Sequence, residues 1–161
     1  MVYGMEVAVL LHNVRSTHNV GSIFRTADAA GVSRIYLTGY TPTPTDRFGR
    51  VRKDIAKTAL GAEQFLPWEH HASPSRLISK LKKEGWRIVG VEQDARARDY
   101  RKFEARENTV FIFGNEVLGI SKAVRKKCDA LIEIPMRGKK ESLNVSVAAG
   151  IILFKYVERS A

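Results

Sequence analysis

The chain carries one cysteine, Cys128, so no disulfide can close within it and a reducing compartment is its simplest setting. Long apolar runs are missing as well. The longest, Ala148 to Phe154, falls well short of the roughly 20 residues that a bilayer-spanning helix needs. The opening "MVYGMEVAVLLHNVR" has no basic stretch and turns polar beyond Leu11, which excludes a secretory leader. These deficits predict a soluble, cytoplasmic protein that does not enter a membrane. Acids are scarce relative to bases: 17 Asp and Glu against 27 Lys and Arg leave a net charge of +10. Such an excess favours a polyanionic partner, nucleic acid ahead of an anionic membrane surface. A solvated basic surface without a specific partner is the plain alternative. His12, His18, His70 and His71 lack the Cys/His/carboxylate spacing of a metal site, and Cys128 has no evident His partner, so no metal is expected.

What is present reads as one α/β domain. With 161 residues, 44% of them hydrophobic, and no repeat or low-complexity tract, residues 1–161 are expected to form a single compact unit. Short apolar runs at Glu6–Leu11, Arg34–Thr38, Arg87–Val91, Thr109–Phe113 and Ala130–Ile134 are predicted strands. Between them lie predicted helices over Asn19–Ala30, with Gly31 at its end, and Ser73–Lys83, with Pro74 in its first turn. A weak helix is expected within Val51–Leu60, a short one over Ser121–Lys127 and a last one from Asn144 onwards. Segment 39–50, "GYTPTPTDRFGR", reads as an exposed loop that is mobile or shaped by a ligand, and Gln93–Asn108 as a polar, Arg-rich connection. Strands alternating with helices imply a mainly parallel sheet covered on both faces. The last helix is apolar on two sides: Val145, Ala148, Ala149, Ile152 and Tyr156 form one stripe, and Val147, Ile151 and Phe154 another. One core cannot cover both, so a dimer is expected; a single core helix wrapped by loops is the alternative.

Ligands of parallel sheets settle where loops leave the carboxyl ends of strands. Three loops compete for that place: "HNVRSTHNVGSIFRT", "GNEVLGIS" and "PMRGKKESLNVS". The second has the glycine spacing of a triphosphate-binding loop, but Ile120 stands where the lysine is needed, and no G-x-G-x-x-G occurs. Gly114 and Gly119 fit a tight backbone cradle instead. Lined by Ile134, Pro135, Met136 and Leu143, it suits a flat heterocycle held by backbone groups and apolar contacts.

Taken together, these segments resemble the SpoU, or TrmH-like, branch of the SPOUT RNA methyltransferases. Asn19, Gly21, Arg25 and Thr26 match the first family motif. Gly114, Asn115, Glu116, Gly119 and Ser121 match the second, and Ile134, Pro135, Met136, Ser142, Leu143, Asn144 and Ser146 the third. The resemblance covers nearly the whole chain. It implies an α/β fold with a C-terminal deep trefoil knot, a homodimer with its site near the interface, and methyl transfer from S-adenosyl-L-methionine to a ribose 2′-hydroxyl of RNA. A small dimer without an accessory domain can span a compact structured RNA, so tRNA is expected somewhat ahead of rRNA. It further implies that Gly114, Asn115, Glu116, Gly119, Ile134, Pro135, Met136, Ser142 and Leu143 hold the cofactor. Arg25, Asn19, Glu116, Ser142 and Asn144 are the implied catalytic set. Larger relatives carry accessory RNA-binding segments; here the motifs fill the chain, which is expected to be a minimal catalytic domain.

Each of these residues also has an ordinary reading. A guanidinium stays protonated in nearly any setting, so Arg25 either binds a phosphate and shifts a proton only in the assembled site, or stabilises a developing alkoxide; on the ordinary reading it is a surface cation. Asn19 and Asn144 suit helix caps, and Glu116 suits the first turn of a helix. For RNA the expected contacts are Arg15, Arg47, Arg50, Arg52, Lys53, Arg137, Lys139 and Lys140, with Phe48 placed to stack on a splayed base. Two competing functions remain: a non-catalytic RNA-binding or assembly module of the same fold, and a nucleotide-dependent oxidoreductase or NTPase, which the missing fingerprints disfavour.

Overall fold

A computed structural model describes residues 4–157; residues 1–3 and 158–161, which the expected 1–161 domain includes, lie outside the described residues. The strands are β1 (Val7–His12), β2 (Arg34–Thr38), β3 (Trp68–His71), β4 (Arg87–Val91), β5 (Arg98–Asp99), β6 (Thr109–Phe113) and β7 (Ala130–Glu133). They form one sheet in the order β3-β2-β1-β6-β4-β7-β5, and every pairing is parallel. The helices are α1 (Thr17–Ala30), α2 (Lys53–Ala59), α3 (Ala62–Phe65), α4 (Pro74–Lys83), α5 (Lys122–Lys127) and α6 (Val145–Val157).

Both faces of the sheet are dry, which is why its central strands read as unbroken apolar runs rather than as alternation. In β1 all six residues are buried. Val9 and Leu11, with Phe111 and Phe113 of β6, point into a core shared with α1, α2, α3 and α6, which supply Ile23, Phe24, Ile55, Ala62 and Ile152. Ala8, Leu10, Val110 and Ile112 point the other way, onto Leu77, Ile78 and Leu81 of α4 and Val124 of α5. Tyr156 closes the first core by stacking on Phe111, with ring centroids 4.9 Å apart, while its hydroxyl donates to the Phe103 carbonyl at 3.1 Å. The two-sided α6 is confirmed. Ala149, Ile152, Leu153 and Tyr156 are buried, Ile151 is half-buried, and Val147 and Phe154 stand 50% and 43% exposed.

Several boundaries and elements differ from expectation. Ser16, not Asn19, caps α1: its side chain accepts the Asn19 N–H, so the helix begins two residues earlier. The strand β3, "WEHH", was not anticipated, because an edge strand with polar side chains has no apolar pattern to betray it. It is fixed by pairing with β2 and by Glu69 accepting from Arg34 at 2.6 Å. The connection 93–108 contains β5 and a 3-10 turn at Tyr100–Lys102. Segment 39–50 is less open than expected, since Thr41 and Pro44 are buried and Thr45 bridges to Val51.

Gly21 has a packing reason. A Cβ there would meet Thr58 Oγ1 at 1.9 Å and the Ile55 carbonyl oxygen at 2.5 Å, so the glycine lets α2 cross directly over α1. Alanine would gain about 1 kcal/mol of helix propensity, but displacing a backbone carbonyl costs more, roughly 1–3 kcal/mol. Gly21→Ala is therefore expected to lower the melting temperature by several degrees; an unchanged or raised midpoint in a thermal melt would contradict this packing account.

Candidate functional site

Four loops leave the carboxyl ends of neighbouring strands on one side of the sheet: 13–16 after β1, 92–97 after β4, 114–121 after β6 and 134–144 after β7. Three of the four were anticipated; the loop after β4 was not.

The loop after β6 folds back on itself. Asn115 and Gly119 exchange backbone hydrogen bonds at 3.1 and 2.9 Å, and the Asn115 side-chain oxygen accepts the N–H groups of Val117 and Leu118, both at 2.9 Å. This tight turn needs its glycines. Gly119 has φ +67, and a Cβ on Gly114 would lie 2.4 Å from the Gly119 carbonyl carbon. Ile120, at the place of the phosphate-binding lysine, is instead a core residue, 1% exposed and packed among Leu77, Ile78 and Val124. Glu92 at the end of β4 holds the turn from below: its carboxylate accepts the Ile120 N–H at 2.7 Å. Gln93 donates its side-chain amide to the Ile134 carbonyl at 2.8 Å, tying that loop to the next.

A polar chain joins three loops at the centre. The Glu116 carboxylate accepts the backbone N–H of Arg15 at 3.1 Å and of Ser16 at 3.0 Å, and the Asn19 amide at 3.2 Å. Asn19 in turn accepts from the Asn144 amide at 3.2 Å, while the Asn144 oxygen accepts the N–H of Ser146 at 2.9 Å and so caps α6. Glu116 is thus a loop residue, not the first-turn acid of α5, whose first residue is Lys122. Ser146 is turned onto Asn144, its hydroxyl 2.5 Å from the amide oxygen, rather than toward a ligand.

Between the loops lies a cavity of about 390 Å³. Of the expected cofactor residues it gathers Gly114, Asn115, Glu116, Gly119, Ile134, Met136, Ser142 and Leu143, and of the expected catalytic set also Asn144; Pro135 is not in its wall. Glu92, Gln93 and Glu133 line it without having been anticipated, although an acid directly after a parallel strand was a readable signal. Among the described residues, three glutamates and no lysine, arginine or histidine face this cavity. Arg25 is elsewhere. It lies exposed in a separate hollow with His18, Lys57, Leu60 and Phe154: within one chain, α1 brings Asn19 to Glu116 and Asn144 behind the cavity wall and carries Arg25 to this other hollow. Arg15, Arg47, Arg50, Arg52, Lys53, Arg137, Lys139 and Lys140 are all exposed. The guanidinium carbons of Arg47 and Arg50 lie 4.7 and 5.0 Å from the Phe48 ring centre.

Partial burial pushes the Glu116 carboxyl up, but the N–H donors of Ser16, Arg15 and Asn19 outweigh it and hold the group below its ordinary value. A depressed carboxyl contributes stability above the unfolded value and loses it as pH falls through the folded one. The stability difference between the wild type and Glu116→Gln is therefore expected to be roughly 1 kcal/mol at neutral pH and to shrink below the ordinary value of 4.5. Denaturant unfolding at several pH values checks this, and a difference independent of pH would contradict it.

The arrangement agrees with comparison to known proteins. A sequence profile described as the SpoU rRNA Methylase family matches residues 6–154. A Staphylococcus haemolyticus protein named for the TrmH family of tRNA/rRNA methyltransferases is 36% identical over 152 residues, 94% of this chain and 58% of its own length. The chain thus spans little more than half of that relative. The solved structure of the A. aeolicus TrmH/SpoU tRNA modifying enzyme superposes with a TM-score of 0.83 at 30% identity, over 96% of this chain and 75% of that one. An AdoMet-bound rRNA methyltransferase from Sinorhizobium meliloti gives 0.86 at 32% identity, over 97% and 57%. The matched profile and these relatives, set on the loop geometry above, show that the chain belongs to the SpoU/TrmH family of RNA methyltransferases.

Proposed function

We propose that this chain transfers a methyl group from S-adenosyl-L-methionine to a ribose 2′-hydroxyl of structured RNA, tRNA ahead of rRNA. The observation that carries the cofactor assignment is the sign of the cavity. In a protein of net charge +10, the pocket at the strand ends presents Glu92, Glu116 and Glu133 and no cation. That wall repels nucleotide phosphates and suits a ligand with a sulfonium and an ammonium group. Phe113, Ile134, Met136 and Leu143 offer apolar surface to an adenine, and the backbone of the 114–120 turn offers hydrogen-bonding edges. Bound there, the cofactor supplies an electrophilic methyl on its sulfonium.

The protein's own groups do the rest. Asn19 and Asn144 hold the loops in register, and Ser142 and Asn144 flank the place where a sugar oxygen approaches. Arg25 acts as a charge stabiliser for the developing 2′-alkoxide rather than as a free base, and the hydroxyl proton passes to solvent water as the methyl leaves the sulfonium. Since it stands apart from the cavity in one chain, a second copy completes the site: Leu60 and Phe154, exposed beside Arg25, and Val147 on the outer stripe of α6 form the apolar contact. The C-terminal trefoil knot belongs to this reading. After β7, between β4 and β5, the chain returns across the strand ends to lay α6 against α1 on the far half of the sheet, a path compatible with threading. Arg15, Arg47, Arg50, Arg52, Lys53, Arg137, Lys139 and Lys140 contact phosphates around the site, and Phe48 takes a splayed base once its arginines turn to phosphate.

Arg25→Ala is expected to keep cofactor affinity within about twofold while methyl transfer to RNA falls by roughly 10²–10³. Calorimetry with S-adenosylmethionine and a tritium-transfer assay read the two effects; equal losses in both would contradict the assignment. Phe154→Asp is expected to give the mass of a single chain in light scattering and to abolish transfer, and an active monomer would remove the shared-site reading.

A further inference from the structure

The α4–α5 face lies on the opposite side of the sheet from α1 and α6, and none of the phosphate contacts named above falls on it. A shallow hollow of about 670 Å³ runs between these two helices, lined by Arg76, Lys80, Lys83 and Lys127 with Glu84 and two serines. Four cations against one carboxylate leave it at +3. Arg76, Lys80 and Lys83 recur at i, i+4 and i+7 along α4, so they share one side of the helix over about 10 Å. Neither helix has an acid in its first turn, and the last turns carry Lys80, Lys82 and Lys83 in α4 and Arg125, Lys126 and Lys127 in α5.

The charge pattern works against the free protein. Exposed helices gain from opposite charges three or four residues apart, whereas Arg76 with Lys80, Lys80 with Lys83, and Lys122 with Lys126 are like-charge neighbours that repel. Among the described residues two ion pairs relieve this face: Lys80 with Glu84 at 3.9 Å and Lys82 with Asp129 at 3.3 Å. Arg76, Lys83 and Lys127 have no ion-pair partner among the described residues. The cationic surface also continues around α5, where Lys126 joins Arg87, Arg96, Arg98 and Arg125 in a second hollow of about 300 Å³ at the open sheet edge beside β7. There Asp94 already accepts from Arg96 and Arg125, both at 3.2 Å, so Lys126 and Arg98 are the free charges of that stretch. Local repulsion of this kind is expected where a ligand of opposite sign is meant to relieve it.

We propose that the groove between α4 and α5, extended past Lys126 to Arg98, is a second track for the phosphate backbone of the RNA, separate from the methyl-transfer cavity. It rests on the reading of RNA as substrate and adds a place where a body of RNA away from the modified nucleotide is held. Phosphate contacts of this kind set register and affinity without reading bases. Its loss therefore weakens binding and raises KM while kcat at saturating RNA stays.

The test compares two variants that remove the same charge. Lys83→Gln/Lys127→Gln alters the groove, and Lys102→Gln/Arg106→Gln alters exposed cations outside it; a thermal melt of each verifies folding. With bulk tRNA as probe, the groove variant is expected to bind on the order of tenfold more weakly at 0.1 M salt, and the slope of log affinity against log salt to flatten by about 1.5–2. The control pair should stay within about twofold, and S-adenosylmethionine affinity should not change in either. Equal shifts in the two variants, or none in the groove variant, overturn the proposal. So does binding of the wild type to phosphatidylserine vesicles that depends on the groove when tRNA binding does not. Should the wild type bind tRNA through the groove yet transfer no methyl, the enzyme reading fails and the groove stands.

Discussion

Three loops from distant parts of the sequence meet through two amide side chains, and the site depends on that meeting. A carboxylate only accepts hydrogen bonds, and the first N–H groups of a helix only donate. Glu116 therefore fixes the Asn19 amide with its nitrogen inward, and the opening turn of α6 fixes Asn144 with its oxygen toward Ser146. The remaining ends, the Asn19 oxygen and the Asn144 nitrogen, then match each other at 3.2 Å. Neither amide can flip without leaving two mismatched contacts. The loops after β1, β6 and β7 are held in one register, and this polar chain fixes the shape of the cavity above the core residue Phe113.

The distribution of charge divides the molecule by task. Acids are few, yet three of them face the cavity built on strand ends, while the outer faces of α4 and α5 and the 47–53 segment carry cations. A pocket that repels phosphate inside a surface that attracts it keeps a cationic small molecule and a polyanionic chain from competing for the same place. Cys128 takes no part: burial pushes its thiol up to about 11, which leaves it un-ionised and inert.

The fold's centre was legible in the sequence because buried parallel strands are written as apolar runs, and β1, β2, β4, β6 and β7 all carry one. The edge strand β3 was not, since Glu69, His70 and His71 show no such run and are held to β2 by backbone pairing and the Arg34–Glu69 contact. For the site, glycine spacing at Gly114 and Gly119 and the polar residues beside them pointed to loops that surround the cavity. Glu92 was missed because its role is to brace the turn that Ile120 closes, a contact 28 residues away that no local pattern encodes. Arg25 stands apart from the cavity of its own chain for a geometric reason. Six positions along a helix carry it more than one and a half turns, about 9 Å, from Asn19 and onto a different side.

The central claim is that Asn19 and Asn144 act as one unit in shaping the cofactor cavity. A double-mutant cycle on S-adenosylmethionine affinity, using Asn19→Ala, Asn144→Ala and the pair, tests it by titration calorimetry. The account predicts that the second substitution costs much less once the first is made, with a coupling of at least about 0.5 kcal/mol; strictly additive losses would contradict it.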